Sequence, residues 1–489
     1  MTVLNTPKGK PIGIIFFLIS LAVLILLGIL RFRNIQVDDA YITYRYARHL
    51  ASGQGFSYNP PLPDFGTTTP LYTLLLTLTA LLGINIPSAS LFFCGISLFT
   101  ITALFALYGW RQGYGLGTYL PALMVMLLPG SVLILGMETA FYTALIYITL
   151  YLAARKQYTL AIIFAAMATL TRYDGLLVAV LVISFEWYVK KILPIKRGLL
   201  YVGILFIWFL YATLTFGSFL PNSFLAKTGE FSGNLFLDEL TPHLFLLTGF
   251  FSTVVVPNWV IFFGLIAFFL ISGVWVSGMY PRLVLIWCFL YLSAYALLGI
   301  RYTFHWYYYP PLPGMILVFV LSVQTFREKV CEKFNWLSAQ GLVVLLLVPI
   351  FTIIALGNVR LVQQADTTPA LGGRNAVYTL AAEWICQHSS EETTIAVPEI
   401  GLIGWYCDRK IIDPYGLVSP EMIPYVQNGD RLAGVIALRP DLIVITNVPK
   451  DGRPFSIPEP DRFHDEYFVS HAIERENFPY FLVIFEKRK

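Results

Sequence analysis

The densest group of ionisable residues near an early helix end is Asp38-Asp39-Ala-Tyr-Ile-Thr-Tyr-Arg-Tyr-Ala-Arg-His49. Two adjacent carboxylates are followed by Arg45, Arg48 and His49, just past the apolar run Pro11 to Leu30. A carboxylate at such a place can act as general base toward a hydroxyl. A guanidinium can hold an anion bidentately. Asp38 ahead of Ala40-Tyr41-Ile42 would also cap a helix, but capping accounts for one aspartate and not for two. On that helix Asp38, Ile42, Arg45 and His49 share a stripe, which turns Tyr41, Tyr44 and Ala47 toward bilayer or protein.

The other ionisable candidates are scattered along the chain. Glu138 stands alone in an apolar turn at the start of a helix, where complementing the helix dipole competes with substrate binding. Arg172 and Asp174 lie across a tight turn in Thr-Arg-Tyr-Asp-Gly175; they pair with each other, or Arg172 holds a phosphate. Lys227 and Arg301 are further phosphate candidates, against snorkelling to the interface as the ordinary explanation. His305 and Tyr308 belong to Arg301-Tyr-Thr-Phe-His-Trp-Tyr-Tyr-Tyr309, an aromatic belt by composition whose rings can also stack on a sugar. Glu399 and Asp413 fall at strand ends near the C-terminus, as turn residues or as groups approaching the site or acceptor.

The elements that must position these residues are mostly membrane helices. Of 489 residues 57% are hydrophobic and 13% charged, with mean hydropathy +0.69. A soluble domain carries about twice that charge, so the fold class is an α-helical polytopic membrane protein. Helices are expected near 11–30, 87–110, 114–133, 138–154, 157–171, 176–190, 198–216, 257–279, 283–300, 309–325 and 337–357, about eleven spans. Pro11–Leu30 is too long for a signal-peptide core and reads as an uncleaved first helix with a cytoplasmic N-terminus. The basic turns at Arg111, Arg155-Lys156, Lys190 to Arg197, Arg282 and Arg327 to Lys333 all fall inside only if Thr68 to Leu82 does not span. That short, threonine-bearing stretch therefore reads as an interfacial or re-entrant helix in a first outer loop, 32–86. All the candidate ionisable residues then share the outer face.

Residues 1–357 form the membrane domain on this reading, and 358–489 a small extracytoplasmic α/β domain. In the latter, 375–388 is helical and Thr394 to Val397, Lys410 to Ile412, Asp441 to Thr446 and Phe481 to Phe485 are strands. Cys386 and Cys407 can pair there if the domain is exported, with two free thiols the expected state. No Cys/His spacing marks a zinc site, and no basic segment interleaved with aromatics suits nucleic acid.

The acidic pair outside the first helix, the amphipathic helix after it and the interfacial helix resemble the GT-C glycosyltransferase superfold. Its members include oligosaccharyltransferase catalytic subunits, protein O-mannosyltransferases, the lipid A aminoarabinose transferase and mycobacterial arabinofuranosyltransferases. Asp38 to Arg48, Gly136-Met-Glu-Thr-Ala140, Leu170-Thr-Arg-Tyr-Asp-Gly175 and Pro221-Asn-Ser-Phe-Leu-Ala-Lys-Thr228 look most like the arabinofuranosyltransferase-like branch. The resemblance covers most of the membrane part and, more weakly, the outer domain. It implies inverting transfer from a polyprenyl-phosphate sugar to a glycan, lipid or protein hydroxyl. Asp38 would be the base, Asp39 would orient it, and Glu138 would lie near the sugar. A lipid phosphate leaves as an anion and needs charge more than an acid; Arg45, Arg172, Lys227 and Arg301 would supply it. Some relatives use a divalent metal, but Gly-Met-Glu-Thr departs from their Asp-containing motif, so no metal ligand is assigned. A transporter would instead show repeated halves and broken helices, and a non-catalytic envelope-assembly protein would not need charges gathered on one face.

Overall fold

The computed structural model describes residues 11–228, 258–298, 304–331, 374–449, 463, 465–474 and 480–488. By internal contacts the chain divides into two compact units, one of Met1–Arg33, Leu91–Phe206 and Ser232–Val362, the other of Asn34–Ser90, Ile207–Phe231 and Gln363–Lys489.

The first unit is a helix assembly. Thr139–Ala154, Tyr158–Thr171 and Leu176–Lys190 run in succession, and Met279–Leu298 packs on Pro311–Cys331. Small residues allow the close approaches: a side chain at Gly175 would meet the backbone of Ala168 and Thr169 at 2.5–2.8 Å. Tyr147 crosses between helices, its hydroxyl donating to the Pro310 carbonyl (2.8 Å) and accepting from the Gly314 N–H (2.6 Å). Pro11–Phe32 buries Ile14 with Ala106 and Ala122 and leaves Ile12 and Phe16 exposed, as a helix facing lipid would. Five described stretches are long and apolar enough to cross a bilayer: Pro11–Phe32, Ile86–Gln112, Ile195–Phe216, Met279–Leu298 and His305–Lys329.

The stretch expected as one helix at 114–133 is not one. It forms a 3-10 turn at Gly115–Thr118, then Leu120–Met126, then Gly130–Leu133. Pro129 has no N–H to donate, and the chain breaks ahead of Gly130. The expected span 337–357 lies outside the described residues.

The second unit holds a five-stranded sheet. The strands are β1 (Thr394–Ala396), β2 (Lys410–Ile412), β3 (Leu442–Pro449), β4 (Tyr467–Ile473) and β5 (Tyr480–Lys487). Their order is β2-β1-β3-β5-β4, with β2, β1 and β3 parallel and β5 antiparallel to both β3 and β4. Ile412, Met422, Val435, Ile436, Ile443, Phe463, Tyr467 and Phe485 fill its core. Arg431–Leu438 covers it, capped by the Asp430 carboxylate on the Ala433 N–H at 3.0 Å.

In the same unit the helix Asp38–Ala51 packs on Pro70–Leu81 and on Ile400–Tyr406, and Arg374–His388 packs on Ile400–Tyr406. Pro70–Leu81 has 12 residues, about 18 Å at 1.5 Å per residue and short of a bilayer core of about 30 Å. Thr73 and Thr77 are buried, and Leu74, Leu78 and Leu81 are turned outward. Cys386 and Cys407 are disulfide-bonded, correcting the expectation of free thiols. They close the ends of two packed helices with Cα atoms 5.5 Å apart, inside the range a disulfide needs.

Candidate active site

Asp38 is the first residue of its helix; Val37 holds the N-cap position without a side-chain bond. The Asp38 carboxylate instead caps another helix. Its Oδ2 accepts the Gly401 N–H at 2.9 Å and its Oδ1 the Leu402 N–H at 2.7 Å, two of the donors that the start of Ile400–Tyr406 leaves unpaired. Asp38 is therefore buried and fixed in orientation by two backbone donors. Gly401 is required for this approach, because a Cβ there would fall on the Asp38 backbone carbonyl.

Asp39, half-buried, and Glu399, also half-buried and next to the same helix start, complete the group. Ligand oxygens of Asp38, Asp39 and Glu399 all lie within 4.8 Å of one another. Three hard oxygen donors suit a cation such as Mg²⁺ or Mn²⁺. No local motif announces this trio, since Glu399 reaches the pair through tertiary packing alone.

Arg45 does not extend an open stripe toward a ligand. It is 1% exposed, its Nε donates to the Tyr58 carbonyl (2.9 Å), its Nη1 to that of Gly404 (2.6 Å) and its Nη2 to that of Arg409 (2.8 Å). Its guanidinium lies over the Tyr58 ring and 3.2 Å from Asp408. Arg48 (3.5 Å) and His49 (3.4 Å) converge on the same Asp408 oxygen. Close approach of His49 and the two arginines holds the Asp408 carboxyl down at about 2, against the opposing effect of partial burial. Tyr41 and Tyr44 face protein, edge-on to Trp405. Asp413 is buried in its own turn, accepting the Tyr415 and Leu417 N–H groups (2.8 and 2.6 Å). Burial pushes it up to about 6 despite those bonds.

A second constellation belongs to the first unit. Arg172 donates through Nε and Nη2 to the two oxygens of Asp174 at 3.3 and 3.1 Å, the pairing that the turn allowed. Its Nη1 lies 3.6 Å from Glu138, which is buried at the N-cap position of Thr139–Ala154. The rings of Tyr142 and Tyr307 flank the guanidinium, and Asp174 accepts the hydroxyls of Tyr291 (3.2 Å) and Tyr295 (2.7 Å). One arginine thus stands between two carboxylates inside a ring of tyrosines. Tyr142, Tyr291 and Tyr295 carried no sequence signal apart from their type. His305 is held by its Nε2 against the Leu133 carbonyl at 2.9 Å, and Tyr308 is buried. Lys227 falls in the short helix Asn222–Thr228; Arg301 lies outside the described residues.

Residues 369–483 match a family described as a domain of unknown function, DUF8728. No curated protein matches by sequence. Among solved structures the chain is similar to ArnT from Cupriavidus metallidurans bound to undecaprenyl phosphate, with TM-score 0.60 and 12% identity over 97% of this chain and 98% of that one. The apo state of the same protein gives TM-score 0.61 and 13% identity over the same shares. With five described stretches able to cross a bilayer, the chain is an integral membrane protein, and its fold is similar to that of ArnT over 97% of its length.

Proposed function

We propose that the protein transfers a sugar from a polyprenyl-phosphate donor to a hydroxyl acceptor, with inversion, at the outer face of the membrane. The observation that carries this reading is the Asp38–Asp39–Glu399 carboxylate group in a chain folded like a protein crystallised with undecaprenyl phosphate. Inversion needs one displacement at the anomeric carbon. The acceptor oxygen forms the new bond, the bond to phosphate breaks, and the electron pair leaves with the lipid phosphate. The acceptor proton goes to a carboxylate, and no acid is needed for the leaving group. Asp38 is the proposed base. Its two backbone N–H bonds keep it aimed, and Asp39 beside it is the proposed orienting group.

Lys227 and Arg301 are proposed to meet the leaving phosphate. Arg172 is engaged by Glu138 and Asp174, so its proposed role is to order the tyrosine-lined site. A divalent cation, where bound, would be held by Asp38, Asp39 and Glu399 and would supply positive charge to the substrate. The Cys386–Cys407 disulfide supports an extracytoplasmic place for its domain, since disulfides persist in oxidising compartments.

The test is transfer of radiolabelled sugar from a panel of polyprenyl-phosphate sugars by membranes carrying the protein. Asp38→Asn is expected to lower transfer at least about 100-fold. Asn can still accept one of the two N–H bonds, so an unchanged melting temperature would separate lost chemistry from lost fold. Full activity in a folded Asp38→Asn protein rejects the base assignment, and no transfer from any donor rejects the reaction class.

A further inference from the structure

The elbow between the helices Leu176–Lys190 and Ile195–Phe216 carries more positive charge than its one carboxylate balances. Glu186 is 1% exposed and its Oε1 accepts from Lys190 Nζ (2.8 Å) and Arg197 Nη1 (2.7 Å). Three polar atoms in this cluster are buried without a hydrogen-bond partner: Glu186 Oε2, Arg197 Nε and the Tyr158 hydroxyl. Lys190 and Arg197 both lie over the Tyr158 ring. Lys191 and Lys196 are exposed alongside and, among the described residues, pair with no carboxylate. The elbow from Glu186 to Arg197 thus holds four cations against one anion.

Beside the charges runs an apolar groove of about 290 Å³ lined by Ile183, Leu193, Pro194, Ile195, Gly198 and Leu199. Gly198 opens it, since a Cβ there would meet nothing within 4 Å. Trp187 and Tyr188 are 55% and 71% exposed at the same elbow, the residue types that settle at a headgroup boundary. A surplus of cations over an apolar trough fits an amphiphile with an anionic head.

We infer that this elbow is a binding site for an anionic diacyl phospholipid, its phosphate on Lys191, Lys196 and Arg197 and an acyl chain along the Gly198 groove. A polybasic turn without a groove would attract anionic lipid diffusely; the groove makes the contact specific and saturable.

The full-length protein in mild detergent would be titrated with phosphatidylglycerol or with phosphatidylcholine of the same chains, bound lipid being counted by native mass spectrometry. The expected result is one lipid retained about tenfold more strongly as phosphatidylglycerol. Lys191→Ala with Lys196→Ala is expected to abolish that preference. Gly198→Leu, which fills the groove while favouring helix, is expected to lower retention several-fold with the melting temperature preserved. Equal retention of the two lipids would overturn the proposal, as would retention unchanged in both variants. Undecaprenyl phosphate displacing phosphatidylglycerol from the wild type but not binding the Gly198→Leu protein would overturn it also, by assigning the elbow to donor lipid.

Discussion

Asp38 joins two requirements in one side chain, its proposed role as base and the capping of a helix whose Gly401 N–H lies 363 residues further on. The second role was invisible in the sequence, where an aspartate before Ala-Tyr-Ile reads as the cap of its own helix. Arg45 shows the same limit. Its position in the charged stripe was legible, but the carbonyls of Gly404 and Arg409 that occupy it come from distant chain. Arg172 and Asp174 were legible as a pair because two residues across a turn must be near. Gly401 is the sharper residue-scale test. Gly401→Ala would force the helix start off Asp38, costing about 3 kcal/mol and, with it, the aim of the carboxylate. Thermal unfolding of the purified variant should show the loss. Gly198→Ala, with open space around it, should melt no lower than wild type.

At the scale of elements, the contact between Asp38–Ala51 and the turn after Ile400–Tyr406 is clamped by Asp408 and its three partners, Arg45, Arg48 and His49. The Asp408 carboxyl is held at about 2 in the folded protein, below an unfolded value of about 3.9. Its contribution is therefore fully present above about pH 4 and lost as pH falls toward 2. With the side chain 54% exposed, screening reduces it to about 1 kcal/mol. Asp408→Asn should lower the denaturation midpoint at pH 6, and the gap from wild type should close near pH 2; a gap independent of pH rejects the clamp. The elements themselves were mostly readable. Long apolar helices announce themselves by composition, and β1, β2, β3 and β5 by β-branched runs between turn residues. β4 was missed because Ser470 and His471 interrupt its apolar pattern where the register shifts. The helix at 114–133 was over-read because hydropathy does not register the missing N–H of Pro129.

The composition of the whole chain changes near residue 358, and on that ground the C-terminal part reads as an independent α/β domain. Its contacts join it to the loop before the second long helix: Asn34–Ser90, Ile207–Phe231 and Gln363–Lys489 belong to one compact unit. The join is polar and reciprocal. Asn59 donates to the Ile411 carbonyl (2.8 Å) and accepts its N–H (3.0 Å), and the Tyr58 hydroxyl donates to the Ile400 carbonyl (2.6 Å). Composition cannot register this, since it weighs each stretch alone and says nothing of which stretches complete each other's hydrogen bonds. A fragment of residues 363–489 would leave the Gly401 and Leu402 donors and the Gly404 and Arg409 carbonyls without Asp38 and Arg45. Each group left unmatched in an apolar setting costs about 1 kcal/mol or more. The fragment is expected to melt about 10 °C or more below the same fragment joined by a flexible linker to residues 34–90, as read by near-ultraviolet circular dichroism. Equal melting would mean that the sheet and its helices need nothing from the loop, and that Asp38 is carried by a surface the domain forms unaided.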